Sequence, residues 1–320
     1  MSGDAERRWA LFFPGQGAQT VGMGKRLHEA FALVRETYEE AADALGVDLA
    51  RLSFEGPEEE LRRTVNTQPA VLIHGVACLR LLRQAGIDGQ AAAGHSLGEY
   101  TAHVAAGSLP FADAVRIVRR RGELMYEAGL RHPGTMAAIL GLPPERLDAV
   151  VEAAGEAGIV TAANLNSPRQ VVLSGEIAAV ERGMELAKEA GARRAVRLEV
   201  SGAFHSPLMR SAAEGLAEVL DATEIRRATF PVIANATAQP VTEVDAIRET
   251  LKAQVLERVR WEETVRWFVA AGFETAVELG PGTVLRGLAR DIDRALTVHS
   301  ISEPEHLDAA VAALVAPPTA

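Results

Sequence analysis

The sequence predicts an α/β fold, in which helices flank a largely parallel sheet and a smaller domain is inserted into the larger one. Three observations predict this fold. Short apolar runs alternate with helical patterns along most of the chain, as expected for parallel strands joined by helices. The 320 residues are too many for one small core and too few for two independent full domains. Finally, the stretch from 134 to 201 has a different order of elements from the rest.

The large domain begins with an apolar run, Trp9–Phe13, which ends at Pro14-Gly15. This pattern predicts a buried strand followed by a tight loop. A helix is predicted at Ala114–Tyr126 from its 3.6-residue periodicity. Further short apolar runs predict the strands Gln90–Ala93, Phe230–Ala234 and Thr275–Leu279.

The inserted domain is predicted to contain four strands and two helices. The strands are Thr135–Leu140, Ile159–Asn164, Gln170–Ser174 and Arg194–Val200, with a turn at Asn166-Ser167-Pro168. The helices are Pro144–Gly158 and Ile177–Ala190. The order βαββαβ is the ferredoxin-like arrangement. We therefore expect residues 133–201 to form this subdomain, and residues 1–132 and 202–320 to form the large domain, with a frayed tail at Ala316–Ala320.

Charge and composition exclude several classes of protein. The formal net charge of −10 makes the chain a poor generic binder of nucleic acid or of membrane surfaces. No apolar run approaches the ~20 residues needed to span a bilayer. Met1–Arg8 lacks the apolar centre of a signal peptide. The single cysteine, Cys78, cannot form an intramolecular disulfide and is predicted to be a buried structural thiol. We expect a cytoplasmic protein.

The first motif that carries chemistry is Gly94-His95-Ser96-Leu97-Gly98, which fits the G-x-S-x-G pattern. It lies between a predicted strand and the helical stretch Glu99–Ala106, as a nucleophile elbow requires. The glycines permit a sharp turn that exposes the Ser96 hydroxyl, and the helix N-terminus favours negative charge there. The alternative is a tight turn with a capping serine.

A serine nucleophile needs a base, and His205 is the best placed of the eight histidines. It follows a predicted strand and the Ser201-Gly202 turn. Ser206-Pro207, directly after it, predicts the N-cap and first residue of the next helix, so that His205 is held on both sides. A surface loop histidine remains an alternative.

Two glycine-containing turns have different implications. In Phe13–Gln19, the glycine-flanked Gln16 follows the first strand, and its backbone N–H could serve as an oxyanion-hole donor. An ordinary glycine-rich turn is the alternative. Gly280-Pro281-Gly282 lacks the third glycine of a dinucleotide loop and predicts a turn with no cofactor. No Cys/His cluster has zinc spacing.

Arg121 stands out because of its helical phase. At 100° per residue it falls within the apolar stripe that contains Ala114, Ile117 and Met125, whereas Arg116 lies on the opposite, polar face. A guanidinium on a core-facing stripe needs an anionic partner, because an unpaired buried charge is costly. That partner is either a substrate anion or a carboxylate of the chain in a structural salt bridge.

Taken together, these motifs resemble those of malonyl-CoA:acyl carrier protein transacylases, over nearly the whole chain. The matching segments are Phe13–Gln19, Gly94–Tyr100, Arg121-Gly122, Asn166–Pro168, Gly202–Pro207, Gln254 and Glu278–Gly282. The resemblance implies an α/β-hydrolase-like core with an inserted ferredoxin-like subdomain. It also implies transfer of malonyl from malonyl-CoA to an acyl carrier protein through a malonyl-serine, with no metal or redox cofactor.

The resemblance also implies roles for particular residues. It makes Ser96 the nucleophile, His205 the base, and the backbone N–H groups of Gln16 and Leu97 the oxyanion hole. Arg121 is the clamp for the malonyl carboxylate. The remaining residues implied are Gln254, whose carbonyl oxygen orients His205, and Asn166 and His95, which lie near the thioester.

Three other functions remain open at this point. A discrete polyketide-synthase acyltransferase would use the same residues. An α/β-hydrolase esterase or thioesterase usually has its histidine last in the chain, which would make His299 or His306 the base. A non-catalytic carrier-protein or scaffold module could keep the fold without the reaction. We expect a monomer with acyl carrier protein and malonyl-CoA as partners, and no binding of nucleic acid or membrane.

Overall fold

The computed structural model of this protein describes residues 8–315. The predicted frayed tail and the first seven residues lie outside this range. The described residues form a mixed α/β structure with two sheets. The strands are β1 Trp9–Phe13, β2 Ala91–Gly94, β3 Gly134–Leu140, β4 Val160–Ser167, β5 Gln170–Glu176, β6 Arg194–Arg197, β7 Val232–Ile233, β8 Pro240–Val241, β9 Thr275–Leu279 and β10 Thr297–Ile301.

Helices cover both faces of the larger sheet. They are α1 Lys25–Ala30, α2 Ala32–Leu45, α3 Ala50–Glu55, α4 Glu58–Arg62, α5 Thr64–Gln84, α6 Gly98–Ala105, α7 Phe111–Arg131, α8 Leu147–Ala154, α9 Ile177–Glu189, α10 Arg210–Ala222, α11 Val244–Ala253, α12 Trp261–Ala270, α13 Val284–Ile292 and α14 Pro304–Val315. Short 3₁₀ helices occur at Pro144–Arg146, Gly155–Ala157 and Pro207–Met209. Within residues 8–315, none of the helices combines the length and the apolar character needed to cross a bilayer.

The larger sheet has the order β10-β9-β1-β2-β7-β8, and all its pairs are parallel except β7 with β8. Successive residues of β1 enter different cores, because side chains alternate across a strand. Leu11 and Phe13 pack with α5 and α7, whereas Ala10 and Phe12 pack with α12 and α13. The strand is buried on both faces, so its sequence is continuously apolar, as predicted.

The smaller sheet is antiparallel, in the order β4-β5-β3-β6, and α8 and α9 pack against it. The predicted succession of elements, βαββαβ, is confirmed. One predicted helix, 144–158, is divided into α8 and two 3₁₀ turns, since prolines precede it and Gly155 and Gly158 have low helix propensity. Asn166 and Ser167 belong to β4 rather than to the turn.

Two predictions in the large domain differ from the structure by more than one residue at an end. The predicted strand Phe230–Ala234 pairs only at Val232–Ile233. Pro231 has no N–H to contribute to a ladder, and the N–H of Ala234 bonds to Gln239 instead. The predicted helix 114–126 extends to Phe111–Arg131.

The two sheets are connected near the ends of β4 and α11. The N–H of Leu165 donates to the carbonyl of Val259, and the N–H of Val259 donates to the carbonyl of Ala163, at 2.9 and 2.8 Å. This contact holds the end of β4, with Asn166, against the segment that follows α11. That segment begins with Gln254, so the smaller sheet helps to position the site described next.

Candidate active site

A sharp turn between β2 and α6 presents Ser96. Its φ of 52° lies in the left-handed region, which non-glycine residues rarely adopt. A side chain at Gly94 would overlap the backbone of Gly98, and one at Gly98 would overlap the carbonyl of Phe13. The two glycines of the motif are therefore required by close backbone approach, and the predicted strand–turn–helix context is confirmed.

Ser96 and His205 form a hydrogen-bonded pair. The Ser96 Oγ lies 2.8 Å from His205 Nε2, although 109 positions separate the two residues. The other ring nitrogen, Nδ1, lies 2.8 Å from the carbonyl oxygen of Gln254 and 3.0 Å from that of Glu257. Carbonyl oxygens only accept, so Nδ1 carries the proton and Nε2 is free to accept the serine proton.

The loop that carries His205 is fixed on both sides. His205 itself has a φ of 55° and is only 3% exposed. Ser174 Oγ of β5 donates to the carbonyl of Phe204 at 2.6 Å. Ser206 caps the following 3₁₀ turn by accepting from the N–H of Leu208, which confirms the predicted cap. The sequence alternative of a surface loop histidine is wrong.

Burial lowers the pKa of His205 to about 3, and the nearby Arg121 cation acts in the same direction. The carbonyls of Gln254 and Glu257 oppose the shift because they favour the protonated ring. His205 is therefore a neutral acceptor throughout the neutral pH range, which is the state a general base requires.

Arg121 projects from the apolar face of α7 into the same site and is only 1% exposed. Its Nη2 donates to Ser96 Oγ at 3.1 Å and to Gln254 Oε1 at 3.0 Å, and its Nη1 donates to Gln68 Oε1 at 2.8 Å. Across the described part of the chain, no carboxylate oxygen lies within 4.0 Å of this guanidinium. The structural salt bridge is thus not formed among residues 8–315.

The backbone N–H groups of Gln16 and Leu97 follow β1 and β2, whose carboxyl ends are adjacent in the sheet. Neither N–H donates to an acceptor among residues 8–315. The N–H of Ser96, by contrast, is occupied by Asn235 Oδ1 at 2.7 Å. Two free N–H donors near Ser96 are what an oxyanion hole would require.

His95 and Asn166 also meet at the site, at the boundary between the two sheets. His95 Nε2 lies 2.8 Å from Asn166 Oδ1. An amide oxygen only accepts, so Nε2 of His95 carries its proton. Burial lowers the pKa of His95, which favours the neutral ring.

Three buried polar residues of the site were missed by the sequence analysis. Asn235 follows β7, at the same sheet edge as Gln16 and Ser96, and its Nδ2 donates to the carbonyl of Gly94 at 2.7 Å. Gln68 contacts Arg121 from α5, and Glu99 bonds the side chain of Gln254. A signal was present in each case. Asn235 is polar at the carboxyl end of a parallel strand, and Gln68 and Glu99 are polar within apolar helical stretches.

The other histidines considered as bases lie elsewhere. His299 lies within β10, two strands away from β1 in the sheet. His306 lies in α14, and its Nδ1 is 3.1 Å from Ser302 Oγ. The order of residues expected for an esterase is therefore not the one in this protein. Among residues 8–315, no three His, Cys, Asp or Glu side chains are grouped so as to hold a metal ion.

A sheet flanked by helices, with a serine–histidine pair at the carboxyl ends of its strands, is typical of acyl-transferring enzymes, and the comparisons agree. Residues 11–315 match the family described as acyl transferase domain. The chain is 48% identical to the malonyl CoA-acyl carrier protein transacylase of Bacillus subtilis (strain 168), over 95% of this chain and 96% of that protein. The chain belongs to the malonyl CoA-acyl carrier protein transacylase family.

Solved structures agree with this assignment. The structure of the malonyl CoA-acyl carrier protein transacylase from Coxiella burnetii superposes with a TM-score of 0.93 at 39% identity, covering 97% of this chain and 98% of that one. A second neighbour has a TM-score of 0.92 at 42% identity and covers 95% of this chain and 99% of that one. It is a malonyl-transacylase in complex with its type II PKS acyl-carrier protein in the holo form.

Proposed function

We propose that this protein transfers a malonyl group from malonyl-CoA to the phosphopantetheine thiol of an acyl carrier protein, through a malonyl ester of Ser96. Its product supplies extender units for fatty-acid synthesis. The observation that carries the proposal is the buried guanidinium of Arg121, which has no carboxylate partner among the described residues and lies 3.1 Å from Ser96 Oγ. A malonyl group ends in the carboxylate that such a cation would bind. The family supports the same conclusion.

The first half-reaction begins with proton transfer from Ser96 to Nε2 of His205. The serine oxygen attacks the thioester carbonyl, and the backbone N–H groups of Gln16 and Leu97 stabilise the oxyanion. The C–S bond then breaks, and His205 returns the proton to the sulfur of coenzyme A. The carbonyls of Gln254 and Glu257 hold the ring and stabilise its protonated form.

The second half-reaction repeats these steps with a thiol as nucleophile. His205 takes the proton of the phosphopantetheine thiol, whose sulfur attacks the malonyl ester. The C–O bond to Ser96 breaks, and His205 returns the proton to the serine oxygen. The scheme is ping-pong and uses only the residues of the chain.

Selectivity for malonyl comes from Arg121 in this proposal. Arginine binds a carboxylate through two parallel hydrogen bonds, and burial strengthens the interaction. The segment Ala203-Phe204-His205-Ser206 is similar to the sequence associated with malonyl rather than methylmalonyl selection. His95 and Asn166, joined by their hydrogen bond, would lie beside the thioester.

A discrete polyketide-synthase acyltransferase is the second candidate. The comparisons do not favour it, because the curated relatives are malonyl CoA-acyl carrier protein transacylases, and the neighbour solved with a type II PKS acyl-carrier protein is itself a malonyl-transacylase. Both candidates share the reaction and differ in the carrier protein. Rates of transfer to carrier proteins of the two pathways would separate them.

We also propose the finer description of the fold. Residues 133–201 would form a ferredoxin-like subdomain, which the strand order β4-β5-β3-β6 supports. The described parts of the ranges 1–132 and 202–320, which are residues 8–132 and 202–315, would form an α/β-hydrolase-like domain, supported by the serine elbow between β2 and α6. A cytoplasmic location is proposed from the single cysteine, Cys78, which is a buried free thiol.

The test follows the acyl group by intact-mass spectrometry. After incubation with malonyl-CoA we expect one malonyl adduct on the wild type, and its loss when holo-acyl carrier protein is added. The Ser96→Ala variant should form no adduct, since no other residue is positioned at the elbow. An adduct that persists on this variant would refute the assignment of the nucleophile. The absence of an adduct on the wild type would refute the function.

A further inference from the structure

Glu99 is a buried carboxylate that the mechanism above does not use. It lies in α6, three residues after Ser96, and is 0% exposed. Its Oε2 accepts from Gln254 Nε2 at 2.7 Å and from the N–H of Asn235 at 3.0 Å. Its Oε1 is buried without a hydrogen-bond partner among residues 8–315. A buried carboxylate held by neutral donors is unfavourable for the fold by itself.

The charged groups around Glu99 come from α7 and from its own helix. Arg121 of α7 is the nearby cation, and the Tyr100 hydroxyl group titrates next to it. Burial raises the pKa of Glu99 to about 7, while the bonds from Gln254 and Asn235 and the charge of Arg121 oppose that rise. Glu99 Oε2 accepts both hydrogen bonds, and Oε1 is the oxygen without a partner, so a proton on the carboxyl group belongs on Oε1. Gln254 therefore keeps its acceptor in both protonation states of Glu99.

Glu99 determines which way the amide of Gln254 points. Gln254 Nε2 donates to Glu99 Oε2 and, at 2.9 Å, to the carbonyl oxygen of Ser96. Both partners offer acceptors at that position, so the amide nitrogen must face them and Oε1 must face Arg121. The reversed amide would place its N–H groups against the guanidinium and its oxygen against the carboxylate.

The orientation of this amide in turn holds Arg121. Gln254 Oε1 accepts from Nη2 at 3.0 Å, and Gln68 Oε1 accepts from Nη1 at 2.8 Å, so that the guanidinium is fixed at both ends. Without the Gln254 contact, Nη2 keeps only its bond to the Ser96 hydroxyl. The cation would then rotate about its Gln68 contact and pull on the nucleophile.

We propose that Glu99 is a positioning and specificity-determining residue. It accepts a hydrogen bond from Gln254, keeps Gln254 Oε1 on Arg121, and so maintains the preference for an acyl group that ends in a carboxylate. The proposal rests on the proposed function, because it concerns the same site and the same acyl group. The backbone N–H of Glu99 donates to the carbonyl of Ser96 at 3.1 Å, but the Glu99 carboxylate bonds Gln254 and Asn235 rather than Ser96 Oγ.

Two variants separate this role from a purely structural one. Glu99→Gln keeps an amide oxygen where Oε2 accepts both donors, and it removes the charge. Glu99→Met has a similar length and offers no comparable acceptor, so it releases the Gln254 amide. A structural brace for the Asn235 loop would also be lost in Glu99→Met, but its loss would affect every acyl substrate equally.

The experiment measures kcat/KM for loading of malonyl-CoA and of acetyl-CoA. We expect Glu99→Met to lower the malonyl-to-acetyl ratio by about tenfold, the effect of one net hydrogen bond, mainly through a higher KM for malonyl-CoA. Glu99→Gln should stay within about threefold of the wild-type ratio. Gln254→Leu should give the Glu99→Met shift, and the double variant should add little to it, because both changes break one chain of contacts.

Several results would overturn the proposal. One is an unchanged ratio in Glu99→Met, whatever the loss of activity. Another is an equal change of the malonyl-to-acetyl ratio in Glu99→Gln, which would assign the effect to the negative charge of Glu99 rather than to its hydrogen bond. Should Glu99→Met fail to fold, Glu99→Asp withdraws the acceptor by one methylene and must show the same shift. Malonyl loading of the wild type is measured alongside, so that failure of the proposed function is seen separately.

Discussion

At the residue scale, the chemistry of this site depends on two residues with left-handed backbone conformations. Ser96 has a φ of 52° and His205 a φ of 55°, and neither is a glycine. Such conformations are unfavourable and persist only where the surroundings impose them. The close glycine contacts around Ser96 and the bonds to Phe204 and Ser206 provide those surroundings. The Oγ–Nε2 contact results from these constraints.

Replacing His205 by alanine should lower malonyl transfer by about 100-fold or more, the usual effect of losing a general base. Steady-state transfer to holo-acyl carrier protein measures it. His306→Ala is the matched control, because the His306 side chain bonds Ser302, far from Ser96 in the fold, and its loss should leave the rate near that of the wild type. A normal rate in His205→Ala together with a strong loss in His306→Ala would favour the esterase order of residues instead.

The dependence of kcat/KM on pH, on the acid side of neutrality, should also depend on His205. In the proposed mechanism the neutral ring of His205 is the active form. Burial lowers its pKa from 6.5 to about 3, so the ring stays neutral well below pH 6.5. We therefore expect kcat/KM for malonyl loading to show no fall with an apparent pKa near 6.5 as the pH is lowered from 8 to 5. A fall of tenfold per pH unit below 6.5 would contradict this.

The Arg121→Ala variant should lose malonyl loading by about 10²–10⁴-fold, corresponding to the ~3–5 kcal/mol typical of breaking a buried ion pair. Loading of acetyl-CoA should fall much less, or rise, because a methyl group leaves the cation unpaired. The measurement is the ratio of kcat/KM for the two thioesters. Arg116→Ala, on the exposed face of the same helix, is the control. Equal losses for both thioesters with lower thermal stability would indicate a structural role.

At the scale of single elements, helix α5 contains a histidine that should weaken the fold in acid. Both ring nitrogens of His74 are buried, and neither makes a hydrogen bond of normal geometry among the described residues, although the backbone of Ser302 lies close. It borders a cavity of about 220 Å³ together with Ser302 and Glu303. Burial lowers its pKa to about 4, so between pH 6.5 and 4 the unfolded chain binds a proton there that the folded chain does not.

The sign of this effect can be tested with His74→Leu. The full unfolding free energy is present above pH 6.5, where the His74 ring is neutral in both the folded and the unfolded chain. As the pH falls towards 4, only the unfolded chain gains a proton there, and the unfolding free energy drops by up to ~1.4 kcal/mol per pH unit. The variant lacks this loss, so its unfolding free energy should improve relative to the wild type as the pH decreases. Urea unfolding at several pH values measures it. Parallel curves for the two proteins would contradict the assignment.

At the scale of the whole molecule, an acidic protein has to bind a carrier protein that is itself expected to be acidic. With a net charge of −10, a local basic surface is needed for docking. Arg193, Arg194, Arg197 and Lys188 are all exposed on the smaller sheet and its helix α9. Arg197 pairs with Glu181 at 3.1 Å, whereas Arg193 and Arg194 have no ion pair among the described residues, which makes them the stronger candidates.

Reversing the charge of Arg193 and Arg194 to glutamate should raise the KM for holo-acyl carrier protein by about tenfold at low salt, and the effect should shrink as salt screens it. The KM for malonyl-CoA should not change. Arg51→Glu, an equally exposed change on α3, is the control. Unchanged values for both substrates would exclude this surface as the docking site.

The sequence by itself determined the order of the elements and the main residues of the candidate site. The glycine spacing around Ser96, the apolar phase of Arg121 and the capped loop at His205 are local patterns, and local steric and hydrophobic rules are enough to interpret them. The βαββαβ order of the inserted unit was predictable for the same reason. Boundaries were less predictable where proline and glycine interrupted a pattern, as at Pro231 and Gly155.

Only the tertiary structure decided which residues meet. Asn235, Gln68 and Glu99 lie far apart in sequence, and their patterns alone did not indicate one common site. The orientation of the Gln254 side chain and the two carbonyls on His205 are likewise long-range hydrogen bonds. Such contacts depend on how strands and helices are placed in space. Periodicity gives the face on which a side chain lies, but the partner on that face is supplied by the fold.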